Sequence, residues 1–424
     1  MSWIKIVFIN VIVLLILLIL GSLALRAWDA FITKDEIYQV KDLNTNTIRA
    51  TYPNYNEYER ADAINIFTDY SAPKTGHSPF IEWRRNPYTG QSVNVEDQYK
   101  TRLSYNHNMN DSIWFMGGST IWGTGAKDEE TIPSYFAKTS LQNVWNLGES
   151  GYTSFQEFIQ LQILLVNDLT PEVVVFYDGV NDSIYCNTNT TALPTHSRED
   201  EYRLSIEKYP KHKQMIKKLT EKAEQGYKLS DEIEHIFNKV FHFFSEPYAK
   251  RLSGFFDKRA MSTTYNKNLS SSRPLATFEK QHNYRNCDTD TKKARAAAQM
   301  TVNTWLLAYD LLSTKNIPVL FVLQPTSHIG TEFHQLDYLL DSEKQRIVDE
   351  KKSYEAQYAM IKKIWTEECL KHNACDNFLD LSVVFNGYQE PIFIDTMHIS
   401  PNGNKIVANE IFNYMCKDKQ FKIC

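Results

Sequence analysis

The sequence predicts an α/β fold in which a parallel sheet is covered by helices on both faces. Three observations lead there. The apolar run 113–116, with two large aromatics, stops at a pair of glycines, as a buried strand does when it breaks into a tight turn. From that run onward, short apolar stretches alternate with stretches of helical period, which implies βαβ units and so a parallel sheet. The length of 424 residues exceeds one average domain but suits one elaborated α/β core with additions.

Taken in order, residues 6–25 form a run of 20 without a charge, interrupted only by Asn10, Gly21 and Ser22. As a helix the run spans about 30 Å, one hydrocarbon core, so this segment is expected to meet a membrane. An uncleaved signal-anchor over 1–25 is the first reading. A cleaved signal peptide is the second, because Ser22-Leu23-Ala24 offers small residues at the spacing a signal peptidase needs. Lys5 and the α-amino group on one side are matched by Arg26 and Lys34 on the other, so charge sets orientation weakly. With Lys5 inside, either reading places the bulk of the chain outside the cytoplasm, in a periplasmic, extracellular or luminal space.

Residues 26–110 lack a sustained period and are rich in Tyr, Asn and Asp, with a turn-prone stretch over 83–90. Their aromatic density argues for an ordered, loop-rich cover rather than a disordered linker. Trp83, Arg84 and Arg85 suit either packing against the core or the lining of a sugar or carboxylate pocket.

The α/β rhythm occupies 111–424. Strands are expected at 113–116, 144–147 and 173–177, with helices near 131–140 and 154–167 between them. A helical insertion follows at about 187–290, whose charged stretch 198–257 reads as a solvated face or, in its Lys211-His212-Lys213 cluster, as a binding surface. The rhythm resumes with a helix over 290–315, a strand over 317–323, a helix over 343–372 and a short strand at 378–381. Ser400 as N-cap and Pro401 at the first helical position open a last helix running through Met415.

A net charge of −5 gives no positive field to draw nucleic acid, which is excluded as an implied partner. Six cysteines without a Cys-x-x-Cys pair disfavour zinc or a thioredoxin-like site, and no metal or other cofactor is implied. Disulfides suit an exported domain. The sequence does not choose among the roughly 15 connectivities of six cysteines; local pairing would join Cys369 to Cys375 and Cys416 to Cys424 and leave Cys186 with Cys287 across a long loop, and six free buried thiols are the alternative.

Four stretches carry candidate chemistry. Gly117-Gly118-Ser119-Thr120 presents a serine at the end of the first core strand. The stretch 146–152 brings a glycine N–H to the same sheet edge, and the stretch 177–182 brings the Asn181 amide, a neutral double donor. In Asp395-Thr396-Met397-His398 a carboxylate and an imidazole stand three residues apart, near enough for Asp395 to hold the His398 Nδ1–H and leave Nε2 as a base. Each has an ordinary reading as a helix cap, a turn glycine, a capping asparagine or a loop hydrogen bond. Together they supply complementary roles at the C-terminal ends of alternating strands, where open α/β sheets place their sites.

The order Gly-x-Ser, Gly, Gly-x-Asn-Asp, Asp-x-x-His resembles the SGNH hydrolases, the GDSL-like lipase/acylhydrolase family, over about 111–185 and 315–415. Thr120 and Gly118 depart from the family's signature leucine and aspartate. The resemblance implies a flavodoxin-like three-layer α/β/α fold and an ester hydrolase with Ser119 as nucleophile, His398 as base and Asp395 as orienter. It also implies an oxyanion hole from the Ser119 and Gly151 N–H groups and the Asn181 side chain. Gly148 competes for the second-block position; Gly151, five residues beyond Asn146, matches the family spacing. An α/β-hydrolase is disfavoured, because Ser119 lacks the Gly-x-Ser-x-Gly elbow. The anchor and the resemblance favour removal of O-acetyl groups from an envelope or luminal polysaccharide, or from a small acylated molecule. O-acyl transfer by the same site and an inactive, membrane-tethered glycan-binding or assembly protein are the alternatives.

Overall fold

The computed structural model describes residues 48–187, 193–199, 202, 287–331 and 333–424. The expected membrane segment 6–25 and nearly all of the insertion 187–290 lie outside the described residues. Among the described residues no helix is long and apolar enough to cross a membrane. The chain divides into one compact unit of 45–197 with 278–424 and another of 1–44 with 198–277, and nearly all the described residues belong to the first.

Its centre is a five-stranded parallel sheet. In chain order the core strands are β5 (Ile113–Gly117), β6 (Val144–Asn146), β7 (Val173–Asp178), β8 (Val319–Leu323) and β9 (Phe378–Asp380). They lie side by side as β6-β5-β7-β8-β9, the 2-1-3-4-5 arrangement of flavodoxin-like folds. Nearly every residue of β5, β6, β7 and β8 is buried because both faces are covered, which is why these strands read as continuous apolar runs.

Alternation along the strands sorts the core into two layers. Ile113, Phe115, Val175, Tyr177, Leu320 and Val322 point to one face, where helices α3 (Ile132–Ser140) and α8 (Pro401–Lys417) pack through Phe136, Val407 and Ile411. Trp114, Met116, Val174, Phe176 and Phe321 point to the other. There α4 (Ser154–Val166), α6 (Thr291–Ser313) and α7 (Asp341–His372) bury Leu161, Trp305 and Trp365. The three layers are present, and so is each helix that periodicity predicts within the described residues, with bounds close to those read from the sequence. Disulfides join Cys186 to Cys287, Cys369 to Cys375 and Cys416 to Cys424. The first joins residues 101 positions apart in sequence.

The described part of the cover, 48–110, holds more regular structure than its composition suggested. Helix α1 (Arg60–Ser71) is followed by two antiparallel hairpins, β1 (Thr75–Ser78) with β2 (Glu82–Arg85) and β3 (Tyr88–Thr89) with β4 (Asn94–Val95). Helix α1 escaped sequence reading because it buries only Ala63, Ile66, Phe67 and Asp69 and begins without a side-chain cap. Single bridges from Arg102 to Asn146 and from His107 to Val144 lay the cover along β6, shielding an edge strand.

Candidate active site

The strand order reverses between β5 and its neighbours β6 and β7, and the loops leaving those three strands meet at one crevice, the topological switch point of an open α/β sheet. Strand β5 ends at Gly117, and the one-turn helix α2 (Ser119–Trp122) begins at once with Ser119 as its first residue. Its N–H is therefore one of the donors that a helix start leaves without an intrahelical acceptor. Gly118 makes this turn possible by closeness, since a β-carbon there would stand 2.0 Å from Asn181 Nδ2.

Asn181 follows β7 and donates from Nδ2 to the Tyr152 carbonyl at 2.7 Å. An amide carries two N–H groups, and the second remains beside Gly118. In the loop after β6, Gly148 and Gly151 are set apart by their backbones. The Gly148 N–H donates to Asn146 Oδ1 at 3.1 Å, which fixes the loop internally. Gly151 sits at φ +82°, a left-handed position suited to glycine, next to the Tyr152 carbonyl that anchors Asn181. Of the two glycines, Gly151 is the one whose N–H no acceptor among the described residues takes up.

The fourth loop closes the crevice. Ile394 N–H donates to the His398 carbonyl at 2.9 Å and Ser400 N–H to the Ile392 carbonyl at 2.7 Å, folding 392–400 into a tight hairpin. Asp395 Oδ1 accepts the N–H groups of Met397 and His398 at 2.9 and 2.8 Å, and Ser327 Oγ donates to the Thr396 carbonyl at 2.6 Å. With the loop so fixed, His398 Nδ1 lies 2.7 Å from Asp395 Oδ2, and His398 Nε2 lies 2.7 Å from Ser119 Oγ. Serine, histidine and aspartate are thus one unbroken chain of hydrogen bonds across 279 residues of sequence. All five residues singled out in the sequence converge on this edge.

Electrostatics suit the histidine to proton transfer. Burial opposes a charge on His398, but the Asp395 carboxylate and its hydrogen bond outweigh burial and raise the imidazole above 6.5. Burial likewise opposes a charged Asp395, yet His398, Arg49 and the Met397 N–H hold it well below the usual carboxylate range. The imidazolium–carboxylate pair adds stability that is full below pH 6.5 and is lost as pH rises through the raised His398 value. An imidazole accepts a proton only when neutral, so a reaction that used His398 as base would quicken over the same interval in which that stability falls. Among the described residues no group of three or more His, Cys, Asp or Glu is arranged to hold a metal ion.

No protein-family model and no curated protein matches this chain. Solved structures that align with it include a protein from Bacteroides fragilis assigned as an acylhydrolase, at 13% identity over 72% of this chain and 91% of that one, with a TM-score of 0.34. A protein from Desulfitobacterium hafniense, assigned as lipolytic and of the G-D-S-L family, aligns at 10% identity over 72% of this chain and 99% of its own, with a TM-score of 0.29. An α/β hydrolase enzyme from the metagenome of Lake Arreo aligns at 11% identity over 73% of this chain and 97% of its own, with a TM-score of 0.31. Likeness this remote leaves the functional reading to the site's own geometry.

Several residues around the site were not singled out in the sequence. Arg49 Nη2 lies 3.1 Å from Asp395 Oδ2. Tyr70, on α1, lies edge-on to Trp122 beneath the Arg85 guanidinium. Burial pushes its phenol up, but Arg85 and His398 outweigh that and bring it down to about 8. The stretch Trp83-Arg84-Arg85 is buried and packs against the loop that carries Gly151. Trp83 Nε1 donates to the Ser150 carbonyl at 3.0 Å, and Arg84 reaches the carbonyls of Leu147 and Gly148, each at 3.4 Å. Arg85 Nη1 pairs with the fully buried Glu149 at 2.9 Å and donates to Ser150 Oγ at 2.8 Å. The sequence marked these side chains as cationic and aromatic, but no spacing within the chain pointed to their partners more than 60 residues away.

Proposed function

We propose that this chain is a serine esterase of the SGNH type that removes O-acetyl or other acyl groups from a cell-envelope or luminal glycan through an acyl-serine intermediate. The observation that carries the reading is the pair of 2.7 Å contacts linking Ser119 Oγ to His398 and His398 to Asp395. His398 Nε2 takes the Ser119 proton as Oγ attacks the acyl carbonyl, and Asp395 stabilises the imidazolium that forms. The Ser119 and Gly151 N–H groups and the Asn181 amide meet the oxyanion of the tetrahedral intermediate. His398 then returns the proton to the departing sugar hydroxyl, leaving an acyl ester on Ser119. Water, deprotonated by the same imidazole, attacks that ester, and the carboxylic acid leaves with Ser119 restored.

The glycan and the compartment rest on two supports. Three disulfides suit an oxidising space outside the cytoplasm. The uncharged run 6–25 supplies a single-pass membrane anchor that would hold the enzyme beside surface polysaccharide. The test uses the full-length chain in detergent. A fluorophosphonate probe is expected to label Ser119 and to leave Ser119→Ala unlabelled, and an acetylated polysaccharide is expected to release acetate. Absence of both labelling and turnover, with glycan binding retained, overturns the enzyme reading in favour of a binding protein. Transfer of acetyl to an added glycan acceptor instead of to water overturns the hydrolase assignment in favour of a transferase.

A further inference from the structure

Behind the Asp395 carboxylate stands a cation that the reaction just described does not use. Arg49 Nη2 lies 3.1 Å from Asp395 Oδ2, the same oxygen that accepts from His398 Nδ1 at 2.7 Å. The same nitrogen lies 3.0 Å from Glu343 Oε1. Glu343 is itself fixed, because its Oε2 accepts the Leu340 N–H at 3.3 Å at the start of α7 and the Tyr52 hydroxyl at 3.4 Å. The side chains are 21%, 13% and 9% exposed for Arg49, Glu343 and Asp395, so solvent screens their charges only in part.

We propose that Arg49 is a positioning residue that clamps the Asp395 carboxylate and, with Glu343 as its counter-charge, sets the pH range over which His398 works as a base. The inference rests on the reading of Ser119, His398 and Asp395 as a catalytic triad. Its physical content is a line of alternating charge, Glu343–Arg49–Asp395–His398, ending at Ser119. A guanidinium on Oδ2 draws on the carboxylate that stabilises the imidazolium, and its own charge disfavours a second cation nearby. Arg49 thereby keeps the imidazole neutral at lower pH than Asp395 alone would allow. Glu343 moderates the effect by compensating part of the Arg49 charge. The other groups facing this line are fixed in these variants: Tyr70 of α1 beside His398, with Arg85 over its ring, Tyr55 of the cover toward Asp395, and Arg346 of α7 at longer range.

The two charges give opposite signs, which a merely structural role would not. The test measures kcat/KM against pH for full-length protein on p-nitrophenyl acetate, together with the His398 titration by NMR of histidine-labelled protein, assigned with His398→Asn. Arg49→Met is expected to move the acid limb and the imidazole titration upward by about half to one pH unit. Arg49→Lys, which keeps a cation without the fork, should fall between it and the parent. Glu343→Gln, which leaves the Arg49 charge uncompensated, should move both downward. Should Arg49→Met fail to fold, the lysine and glutamine variants carry the sign test. Shifts of the same sign in Arg49→Lys and Glu343→Gln, or a lowered kcat with an unmoved limb, overturn the proposal. A parent profile with no acid limb overturns the triad reading itself and is recognisable before any variant is made.

Discussion

In the α/β core, the groups that meet at the sheet edge come from short loops that each strand delivers: Ser119 after β5, Gly151 after β6, Asn181 after β7, and Asp395 with His398 in the closing hairpin. In the cover, the groups that reach the same edge include arginines, buried or half-buried against carbonyls and carboxylates, and they hold those loops from behind. Arg102 donates to the carbonyls of Trp122, Gly123 and Ala126 at 2.6–2.8 Å, bracing the turn that follows Ser119. Arg85 and Arg84 hold the loop that carries Gly151. Arg49 holds the loop that carries Asp395 and His398. The core therefore carries the groups proposed to react, and the cover adds cations that fix their loops from behind. A carbonyl at a loop end has no helix or strand partner, and a buried guanidinium with five donors satisfies several such carbonyls at once.

That division predicts two kinds of failure. The largest effect falls on the cover and is read as stability. Arg85→Met leaves the Glu149 carboxylate, fully buried, without its cation, and is expected to cost about 3–5 kcal/mol in urea denaturation. Arg85→Met with Glu149→Leu should lose less than the sum of the single changes, because the pair is removed together. A loss below about 1 kcal/mol for Arg85→Met, the range of an exposed ion pair, would make the cover a surface layer and dissolve the distinction.

The next effect falls on the core and is read as rate. Asn181→Ala removes one proposed oxyanion donor and is expected to lower kcat on an acetyl ester about a hundredfold or more. The Tyr152 carbonyl loses one partner, so stability should change by about 1 kcal/mol. Kinetics and denaturation on the same preparation check both halves. A variant that keeps its rate but loses several kcal/mol would move Asn181 from the reacting set to the bracing set.

The same division explains what the sequence made legible. The strands and helices of the core follow from local period, and the five site residues from motifs in which each glycine, amide or Asp-x-x-His spacing is short. Disulfide partners were readable because two of the pairs close loops of 6 and 8 residues and the third was what remained. Arg49, Arg85 and Arg102 were not readable as braces. Their partners stand 346, 64 and about 20 residues away, and nothing near an arginine in sequence says which distant carbonyl it will reach. Helix α1 was missed for a related reason, since it buries a stripe of three apolar residues and its stability comes from the core it covers.

The smallest effect sharpens the comparison from inside the core. Ser400 ends the closing hairpin and caps α8, its Oγ accepting the Gly403 N–H at 3.3 Å while its own N–H donates to the Ile392 carbonyl at 2.7 Å. Ser400→Ala removes the first bond and keeps the second. It is expected to cost about 1 kcal/mol in denaturation, the usual loss for such a cap. If the hairpin is fixed by its backbone bonds and by Asp395, kcat should stay within about twofold of the parent, since under 0.5 kcal/mol would reach the barrier. A drop of tenfold or more, with only that small loss of stability, would mean that the start of α8 aims His398 directly. The start of α8 would then join Ser327 and Asp395 among the core groups that fix His398, alongside the cover's Arg49.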